Sequence, residues 1–333
     1  MTQKIKIFTN EVGSLWEPED IETFLGGSEE AIVLFASALA ELKYDITVYH
    51  SARVKNEKEF KGVKYAPREL AQCDKDDIFI TWKDSTPWIN GAEAKKKIHW
   101  TADIEKSWGV NKSKYKLNIE SVDSFVNISK YQRSKNIFVP FQKEHVFPLG
   151  VDIESLDKNK ENKINNTMLY CSSPDRGLAQ LLQDWPQIKK HNPKLKLKVA
   201  YGWHNFSFQN FQLRKFKNQI DKLLRQPDIE YLGILRKDEI EKEYWKAQYW
   251  GLPLNNPDSE LFCLNAVKAR YCGCTPVVNK IGALKETVGD YIPYMRFRDG
   301  KNKVKQEKAH WDVISWKDVV RKYWEPEIFK GSE

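Results

Sequence analysis

The feature that most constrains this chain is an alternation of strand and helix patterns that occurs twice. Short apolar runs with strand character, such as Lys4–Thr9 and Asp45–His50, alternate with helical segments in the first half. After a polar break the alternation resumes at Thr167–Cys171 and continues to Thr275–Asn279. Because a helix that joins two strands places them parallel, the pattern predicts an α/β fold of two domains, each a parallel sheet with helices on both faces.

The clearest helical pattern covers Ser28–Leu42. Its apolar residues recur at intervals of three and four, which is the spacing of one buried helix face. Ser28 can cap the first turn, and Glu29 and Glu30 suit the positive end of the helix dipole. This segment therefore predicts a long helix directly after the first strand.

The polar break defines the expected domain boundaries. The sequence DKNKENKINN at 157–166 lacks core residues and is typical of a linker. We expect a first domain over 1–156 and a second over 167–315. An aromatic-rich helical segment, 316–333, is predicted to pack back on the first domain.

Charge and composition limit the possible partners. Among 333 residues, 54 Lys and Arg exceed 46 Asp and Glu, so the net charge is +8. Basic residues concentrate in Lys189–Lys198 and Arg296–Lys308. These stretches suit a solvated face, or attraction to nucleotide phosphates, nucleic acid or an acidic membrane surface.

The cysteines and the apolar runs indicate the compartment. Five scattered cysteines suit reduced thiols better than a disulfide framework. The longest apolar run, around Ala31–Ala40, is too short to span a bilayer and the N-terminus lacks signal-peptide features. We expect a cytoplasmic protein, with peripheral contact at the inner membrane face left open.

Three segments carry candidate chemistry. Gly26-Gly27-Ser28 precedes the long helix, where backbone N–H groups attract phosphate, although a turn followed by an N-cap has the same appearance. Arg176 begins a helix, where its charge opposes the helix dipole unless an anion lies beside it. Glu260 stands at a loop–helix junction, where its carboxylate can accept hydrogen bonds from sugar hydroxyls or simply interact with the helix dipole.

The segment that begins at Glu260 also carries a resemblance. Glu260-Leu-Phe-Cys-Leu-Asn-Ala-Val-Lys-Ala-Arg-Tyr-Cys-Gly-Cys-Thr-Pro-Val-Val resembles the donor-site signature of family 4 glycosyltransferases, which are retaining enzymes of the two-domain GT-B fold. Further segments resemble that family's motifs in the same order: Gly26-Gly27-Ser28, Phe147–Asp152, Ser172–Leu178, Tyr201-Gly202-Trp203, Tyr231-Leu-Gly233 and Ile281–Glu286. The similarity covers about residues 1–290.

The resemblance implies roles for individual residues. Arg176 and Glu260 would be catalytic, the first at the donor diphosphate and the second at the donor sugar. The implied donor-binding residues are Gly26, Gly27, Ser172, Ser173, Gly202, Leu261, Phe262, Cys263, Leu264 and Lys268. His99 and Asp103 would contact the acceptor or the sugar.

This sequence departs from the family pattern at three places. Lys268 replaces the second Glu of the family's Glu-x7-Glu motif, and Ser172 or Ser173 replaces a diphosphate-binding cation. Ala102 stands where the family has a His before Asp103.

The function implied is transfer of a sugar from a UDP- or GDP-sugar to a glycan, lipid-linked or other hydroxyl acceptor. The two domains would face one another, and neither a metal nor another cofactor is expected. No nucleic-acid partner is expected, whereas peripheral membrane contact is left open. Two alternatives remain: a GT-B nucleotide-sugar epimerase and a non-catalytic basic binding protein.

Overall fold

The chain forms two compact units. The computed structural model describes residues 3–9, 15–75, 77–104, 121–136, 139–203 and 210–330. Unit 1 comprises Met1–Ile21, Leu25–Val151 and Ile314–Glu333, and unit 2 comprises Glu22–Phe24 and Asp152–Val313. The last segment of the chain is thus part of unit 1.

Unit 1 is built on a sheet in which strand neighbours are parallel except for one antiparallel edge pair. Its described strands are β1 (Lys4–Thr9), β2 (Asp45–His50), β3 (Lys58–Phe60), β4 (Val63–Pro67), β5 (Ile78–Trp82), β6 (Lys96–Thr101), β7 (Ser124–Asn127) and β8 (Glu144–Val146). Their order is β3-β4-β2-β1-β5-β6-β7-β8, and β3 is antiparallel to β4. The chain reverses its direction of travel across the sheet between β1 and β5.

Helices cover this sheet. They are α1 (Gly27–Glu41), α2 (Thr86–Ile89) and α3 (Lys130–Arg133), with 3₁₀ turns at Pro18–Glu22, Arg68–Leu70 and Phe141–Lys143. The predicted helix over Ser28–Leu42 agrees with α1. Eight of its side chains are buried, because the apolar residues repeat at helical spacing.

The C-terminal segment packs on α1, as the sequence predicts. After the α/β elements of unit 2, described below, α11 (Trp316–Val319) continues as a wider-wound π-helix over Val320–Phe329. The Trp324 ring lies 4.7 Å from Phe35 of α1 and 5.1 Å from Trp100, measured between ring centroids. Gly150 allows this packing, since a Cβ there would lie 2.8 Å from the Trp316 backbone. This aromatic cluster forms the core of unit 1 on that face.

Unit 2 contains a fully parallel sheet. Its described strands are β9 (Ile164–Tyr170), β10 (Lys196–Ala200), β11 (Ile229–Gly233), β12 (Ala247–Leu252), β13 (Thr275–Val278) and β14 (Ile292–Pro293). Their order is β11-β10-β9-β12-β13-β14, which is the doubly wound order 3-2-1-4-5-6. The direction of winding reverses between β9 and β12.

The helices of unit 2 precede, join or follow its strands. They are α4 (Ile153–Lys158), α5 (Leu178–His191), α6 (Phe211–Leu223), α7 (Lys237–Lys246), α8 (Leu264–Tyr271), α9 (Leu284–Thr287) and α10 (Tyr294–Arg298), with a 3₁₀ turn at Pro257–Ser259. The α/β class with two mainly parallel sheets is therefore confirmed.

The chain between the units differs from the predicted linker over 157–166. The division falls at Val151–Asp152, and Asp152 caps α4 by accepting the Ser155 N–H at 3.0 Å. The buried Glu241 of α7 then accepts hydrogen bonds from Ser155 Oγ and Asn159 Nδ2, at 2.7 and 2.8 Å. Strand β9 begins at Ile164, inside the predicted linker. The polar segment comprises the exposed end of α4, an irregular stretch over 159–163 and the exposed start of β9, and all of it lies within unit 2.

Candidate functional site

Two loops of unit 2 meet at the point where its sheet reverses direction. One loop follows β9 and leads to α5, and the other follows β12 and leads to α8. Because β9 and β12 are parallel neighbours, both loops leave the same carboxyl edge of the sheet. In open α/β sheets this position is the usual place for a ligand.

The loop after β9 is a tight turn that places Arg176. The Arg176 N–H donates to the Ser173 carbonyl at 2.9 Å, which closes a four-residue turn with Pro174 at its second position. The Tyr170 hydroxyl donates to the same carbonyl at 2.7 Å, and Ser173 Oγ is hydrogen-bonded to Asp175. The position of Arg176 is therefore set by local sequence.

Arg176 and Glu260 form an ion pair across the two loops. Arg176 Nη1 donates to Glu260 Oε2 at 2.7 Å, and the side chains are 37% and 11% exposed. Burial raises the pKa of Glu260 above that of an ordinary carboxyl, although Arg176 opposes this. Burial disfavours the charged guanidinium, but Glu260 outweighs it and the pKa of Arg176 is raised. The pair thus fixes the position of a charged guanidinium at the sheet edge.

Two glycines allow the loops to approach closely. Gly177 has φ +97°, and a Cβ there would lie 2.6 Å from the Pro253 carbonyl oxygen at the end of β12. Gly282 has φ +54°, and a Cβ there would overlap the Pro257 carbonyl oxygen. Another residue type at either place would be strained and would push the loops apart.

A hydrogen-bonded chain ties the start of α8 to the end of β9. Asn265 Nδ2 donates to the Cys171 carbonyl at 3.0 Å, and the Tyr244 hydroxyl donates to Asn265 Oδ1 at 2.9 Å. The Cys171 thiol donates to the Tyr244 oxygen at 3.0 Å. The first turn of α8 is thereby held beside the turn that carries Arg176.

The other predicted donor-binding residues of unit 2 lie at or near this edge. Ser172 is buried and Gly202 follows the neighbouring strand β10. Lys268 lies one turn inside α8 and its charge acts on the Cys171 thiol, whose pKa is nevertheless raised to about 11 by burial. Leu261 and Leu264 are half-buried, and Glu260 is extended at φ −140° just before α8.

Phe262 and Cys263 differ from their neighbours in this segment. Their side chains are 5% and 2% exposed, so they pack into unit 2. Burial also raises the pKa of the Cys263 thiol. Any donor contact here comes from their backbone groups rather than from the side chains.

Three predicted residues of unit 1, Gly26, Gly27 and Ser28, lie at the start of α1. Gly26 caps α1 with φ −63° and Gly27 is the first helical residue. This backbone suits any residue type, so neither glycine is explained by a strained turn. Ser28 Oγ accepts a hydrogen bond from Trp82 Nε1 at 3.2 Å and does not cap α1 through its side chain.

The placement of His99 contradicts the expected sugar contact. Its ring is 3% exposed, its Nδ1 lies 2.7 Å from Thr81 Oγ1, and burial lowers its pKa to about 3. A neutral ring inside the sheet packing is not accessible to a dissolved sugar. Asp103 is more exposed, at the end of β6, and its carboxylate lies 3.3 Å from Lys83 Nζ.

Neither a metal centre nor a membrane span occurs in the described part of the chain. Within those ranges, no group of three or more His, Cys, Asp or Glu side chains is arranged to hold a metal ion. Across the same residues, no helix combines the length and apolar character that a membrane span requires.

Some residues that shape this site are not evident from the sequence. Asn265 and Tyr244 position α8, and the one sequence signal for them is a polar Asn at the start of an otherwise apolar helix face. Gly177 and Gly282 lie in segments that resemble family motifs, but their positive φ angles depend on contacts with Pro253 and Pro257. Such contacts between distant segments are not visible in residue order.

Comparison with known proteins places this geometry in context. Residues 152–300 match the family model described as glycosyl transferases group 1. No curated protein matches the sequence.

Three solved structures illustrate the likeness in fold. The trehalose-6-phosphate synthase OtsA has a TM-score of 0.66 and 9% identity, over 86% of each chain. Sucrose-phosphate synthase from Thermosynechococcus elongatus has a TM-score of 0.61 and 13% identity, over 85% of this chain and 82% of that one. HepE of Anabaena, solved with UDP-glucose, has a TM-score of 0.55 and 14% identity, over 84% of this chain and 81% of that one.

These matches extend over both units. The chain therefore has the GT-B fold of two Rossmann-like domains, and the comparisons support a glycosyltransferase whose group 1 match lies in unit 2.

Proposed function

We propose that this protein transfers a sugar from a UDP- or GDP-sugar to a hydroxyl acceptor, with unit 2 binding the donor. The observation that carries the proposal is the Arg176–Glu260 pair, which joins the loops after β9 and β12 at the carboxyl edge. It lies within the segment that matches glycosyl transferases group 1. HepE of Anabaena, which shares the fold, binds UDP-glucose, and this supports a nucleotide sugar as the donor class.

The role of Arg176 follows from the charge that develops in the reaction. When the bond between the sugar and the diphosphate breaks, negative charge accumulates on the departing phosphate oxygens. A fixed guanidinium and unpaired helix N–H groups stabilise that charge more than the bound donor, which lowers the barrier. A guanidinium has five N–H donors, and the described residues show one side-chain hydrogen bond from Arg176, to Glu260.

Glu260 is proposed to orient the donor sugar. Its carboxylate accepts hydrogen bonds from Arg176 and from the Cys263 thiol, and two oxygens with four lone pairs can accept a further one from a sugar hydroxyl. Its buried position strengthens such a bond because water does not compete there. We do not assign Glu260 as a nucleophile.

The finer features of the reaction are proposals on the same basis. The acceptor oxygen attacks the anomeric carbon from the face that the diphosphate leaves, so that the configuration is retained, and the hydroxyl proton leaves with the diphosphate. Unit 1 binds the glycan or lipid-linked acceptor. The proposal also includes membership of family 4, activity without a metal ion, and a cytoplasmic location with peripheral contact at the membrane.

Lys268 departs from the pattern of the resembling family at this site. It stands where the resembling family places a Glu near the nucleotide ribose, and an ammonium group cannot accept hydrogen bonds from the ribose hydroxyls.

A nucleotide-sugar epimerase with the same fold would require acid and base side chains facing the sugar. Glu260 alone does not supply both.

A donor screen tests the proposal directly. UDP-, GDP- and ADP-sugars are incubated with the protein, with and without hydroxyl acceptors and EDTA, and product configuration is read by NMR. We expect release of UDP or GDP, a product of retained configuration and no loss with EDTA. Conversion of the donor into its epimer without diphosphate release would establish the epimerase instead. Absence of turnover and of diphosphate binding would exclude both.

A further inference from the structure

The positive charge of the chain is concentrated in two short segments. Lys189–Lys198 and Arg296–Lys308 contain eleven Lys or Arg and two acidic residues, a net charge of +9. The whole chain carries +8, so the remainder is close to neutral. The net charge is therefore a local property of unit 2.

The fold brings these two segments together. Gly300 packs on His191, where an added Cβ would lie 2.9 Å from the His191 Cβ. Asn302 Nδ2 donates to Asn192 Oδ1 at 2.6 Å, and the Tyr294 hydroxyl donates to Asp184 at 2.9 Å. Segments that are about a hundred residues apart in sequence thus form one continuous surface.

Most cations on this surface lack a neutralising partner. Lys189 pairs with Asp228 and Lys198 with Glu243, each at 2.6 Å, and Arg298 pairs with Asp299 at 3.0 Å. Eight other cations are exposed and form no ion pair within the described ranges. Lys305 lies over the Tyr291 ring and Lys308 ends the second segment; we call the other six the basic face: Lys190, Lys194, Lys196, Arg296, Lys301 and Lys303.

The basic face lies away from the candidate donor site. Lys190 lies in the last turn of α5 and Lys196 begins β10, so both lie at the amino edge of the sheet. Arg176 lies at the carboxyl edge, where β9 ends. A large partner on the basic face therefore leaves the Arg176–Glu260 pair accessible.

We propose that the basic face docks unit 2 on an anionic lipid bilayer. Six cations in one array match the charge of acidic headgroups, and clusters of four to eight Lys or Arg are typical of such contacts. Two exposed apolar side chains flank the cations, Met295 at 49% and Val304 at 39% exposure, and can enter the headgroup region.

The composition of the face favours a bilayer over nucleic acid. Five of its six cations are lysines, which interact as point charges, whereas specific phosphate contacts favour the fork of arginine. The exposed large hydrophobic residues in or next to these two segments are Val304 and Met295, neither of which is aromatic. Stacking of single-stranded bases requires aromatic rings.

Vesicle co-sedimentation tests this inference, which assigns residues to the peripheral membrane contact of the proposed function and does not depend on sugar transfer. The full chain is mixed with phosphatidylcholine vesicles that contain roughly 30% phosphatidylglycerol, or none, in about 0.1 M salt. We expect binding to the anionic vesicles, little binding to the neutral ones, and release at about 1 M salt. Equal binding to both vesicle types would overturn the proposal.

Matched charge reversals locate the contact. Lys194→Glu/Lys301→Glu/Lys303→Glu is compared with Lys4→Glu/Lys55→Glu/Lys95→Glu, three exposed lysines of unit 1. Both variants change the net charge by the same amount. We expect the first to weaken partitioning at least about tenfold and the second less than about twofold, because remote charges are screened.

The remaining outcomes separate the explanations. Equal losses in the two variants, or a single-stranded oligonucleotide that displaces the protein from vesicles and binds more tightly, would contradict the proposal. If the first variant does not fold, the salt dependence of the wild-type protein on the two vesicle types decides. Stabilisation by UDP or GDP is measured in parallel, so failure of the proposed function is seen separately.

Discussion

The two units place the same kind of ion pair at the same edge of similar sheets, but the pairs differ in what else they touch. In unit 1, Arg68 lies 2.8 Å from Asp84, donates to the Thr9 carbonyl at 2.6 Å and stacks over Phe8. Both side chains are largely buried, at 15% and 17% exposure. In unit 2, the Arg176 guanidinium is 37% exposed and makes one described hydrogen bond, to Glu260.

The difference separates a structural pair from a candidate functional one. Arg68 uses its donors to tie the end of β1 to the loop after β5. Arg176 retains donors that the described residues do not use, beside a loop held by Gly177. The same residue types thus serve different purposes according to their remaining contacts.

The largest expected effect concerns the aromatic cluster of unit 1, which joins the C-terminal helix to α1. Trp324→Ala should lower the free energy of unfolding of unit 1 by about 3–5 kcal/mol, because it leaves a cavity beside Phe35 and Trp100. Thermal denaturation measures the loss. Phe211→Ala, at a 66% exposed aromatic of unit 2, is the control and should change stability little. Equal effects of the two changes would mean that the C-terminal helix does not support unit 1.

The next prediction compares the two arginines. Arg176→Ala should reduce donor turnover about a hundredfold while the protein stays folded, because it removes charge at the departing diphosphate. Arg68→Ala should lower thermal stability while the folded fraction keeps its turnover. Unchanged turnover in Arg176→Ala would remove this residue from the site, and equal turnover losses would remove the distinction between the pairs.

The third prediction compares two glycines. Gly177→Ala should cost about 2 kcal/mol of stability or more, because its φ of +97° and the Pro253 oxygen at 2.6 Å both oppose a Cβ. Gly26→Ala should cost less than about 1 kcal/mol, since its φ is −63° and the nearby Glu29 carboxylate can move. Denaturant titration measures both. A tolerated Gly177→Ala would show that the close approach of the loops is not required.

The smallest effect concerns pH. Burial lowers the pKa of His50 to about 4 and that of His99 to about 3, from about 6.5 when unfolded, and both lie in unit 1. Because the unfolded chain binds protons first, this stability is present above about pH 6.5 and is lost as the pH falls below it. Each histidine should remove about 1 kcal/mol between about pH 7 and 5.5.

A substitution isolates this effect. His99→Gln should reduce the pH dependence of thermal stability by about half, although stability at neutral pH also changes. An unaltered slope would show that the ring binds protons equally in the folded and the unfolded protein.

Residue patterns predicted the elements that depend on local order. Lys4–Thr9 forms β1 as expected, and the helix expected at Ser28 begins one residue earlier, because apolar spacing fixes which face is buried. The units divide at Val151–Asp152, before the predicted linker, because polar composition does not distinguish the exposed end of α4 from a connection between units. The capping of α4 by Asp152 and its contact with the distant Glu241 decide the outcome.

The candidate site was predictable in part for the same reason. Arg176 and Glu260 are singled out by residue type and by the segments that carry them, yet their 2.7 Å contact joins positions 84 residues apart. His99 was misjudged because a histidine in a strand does not reveal which side chains cover it. Its burial depends on the packing of the whole sheet, which residue order near His99 does not contain.

Binding of a nucleoside diphosphate tests the central claim most directly. The melting temperature of the protein is measured by calorimetry with UDP, GDP or an oligonucleotide at about millimolar concentration, and again for Arg176→Ala. A ligand that binds the folded state alone stabilises it in proportion to the logarithm of its concentration over Kd. We predict that UDP or GDP raises the melting temperature by several degrees, that the oligonucleotide does not, and that Arg176→Ala loses most of the rise. An unchanged melting temperature with both UDP and GDP would contradict the account.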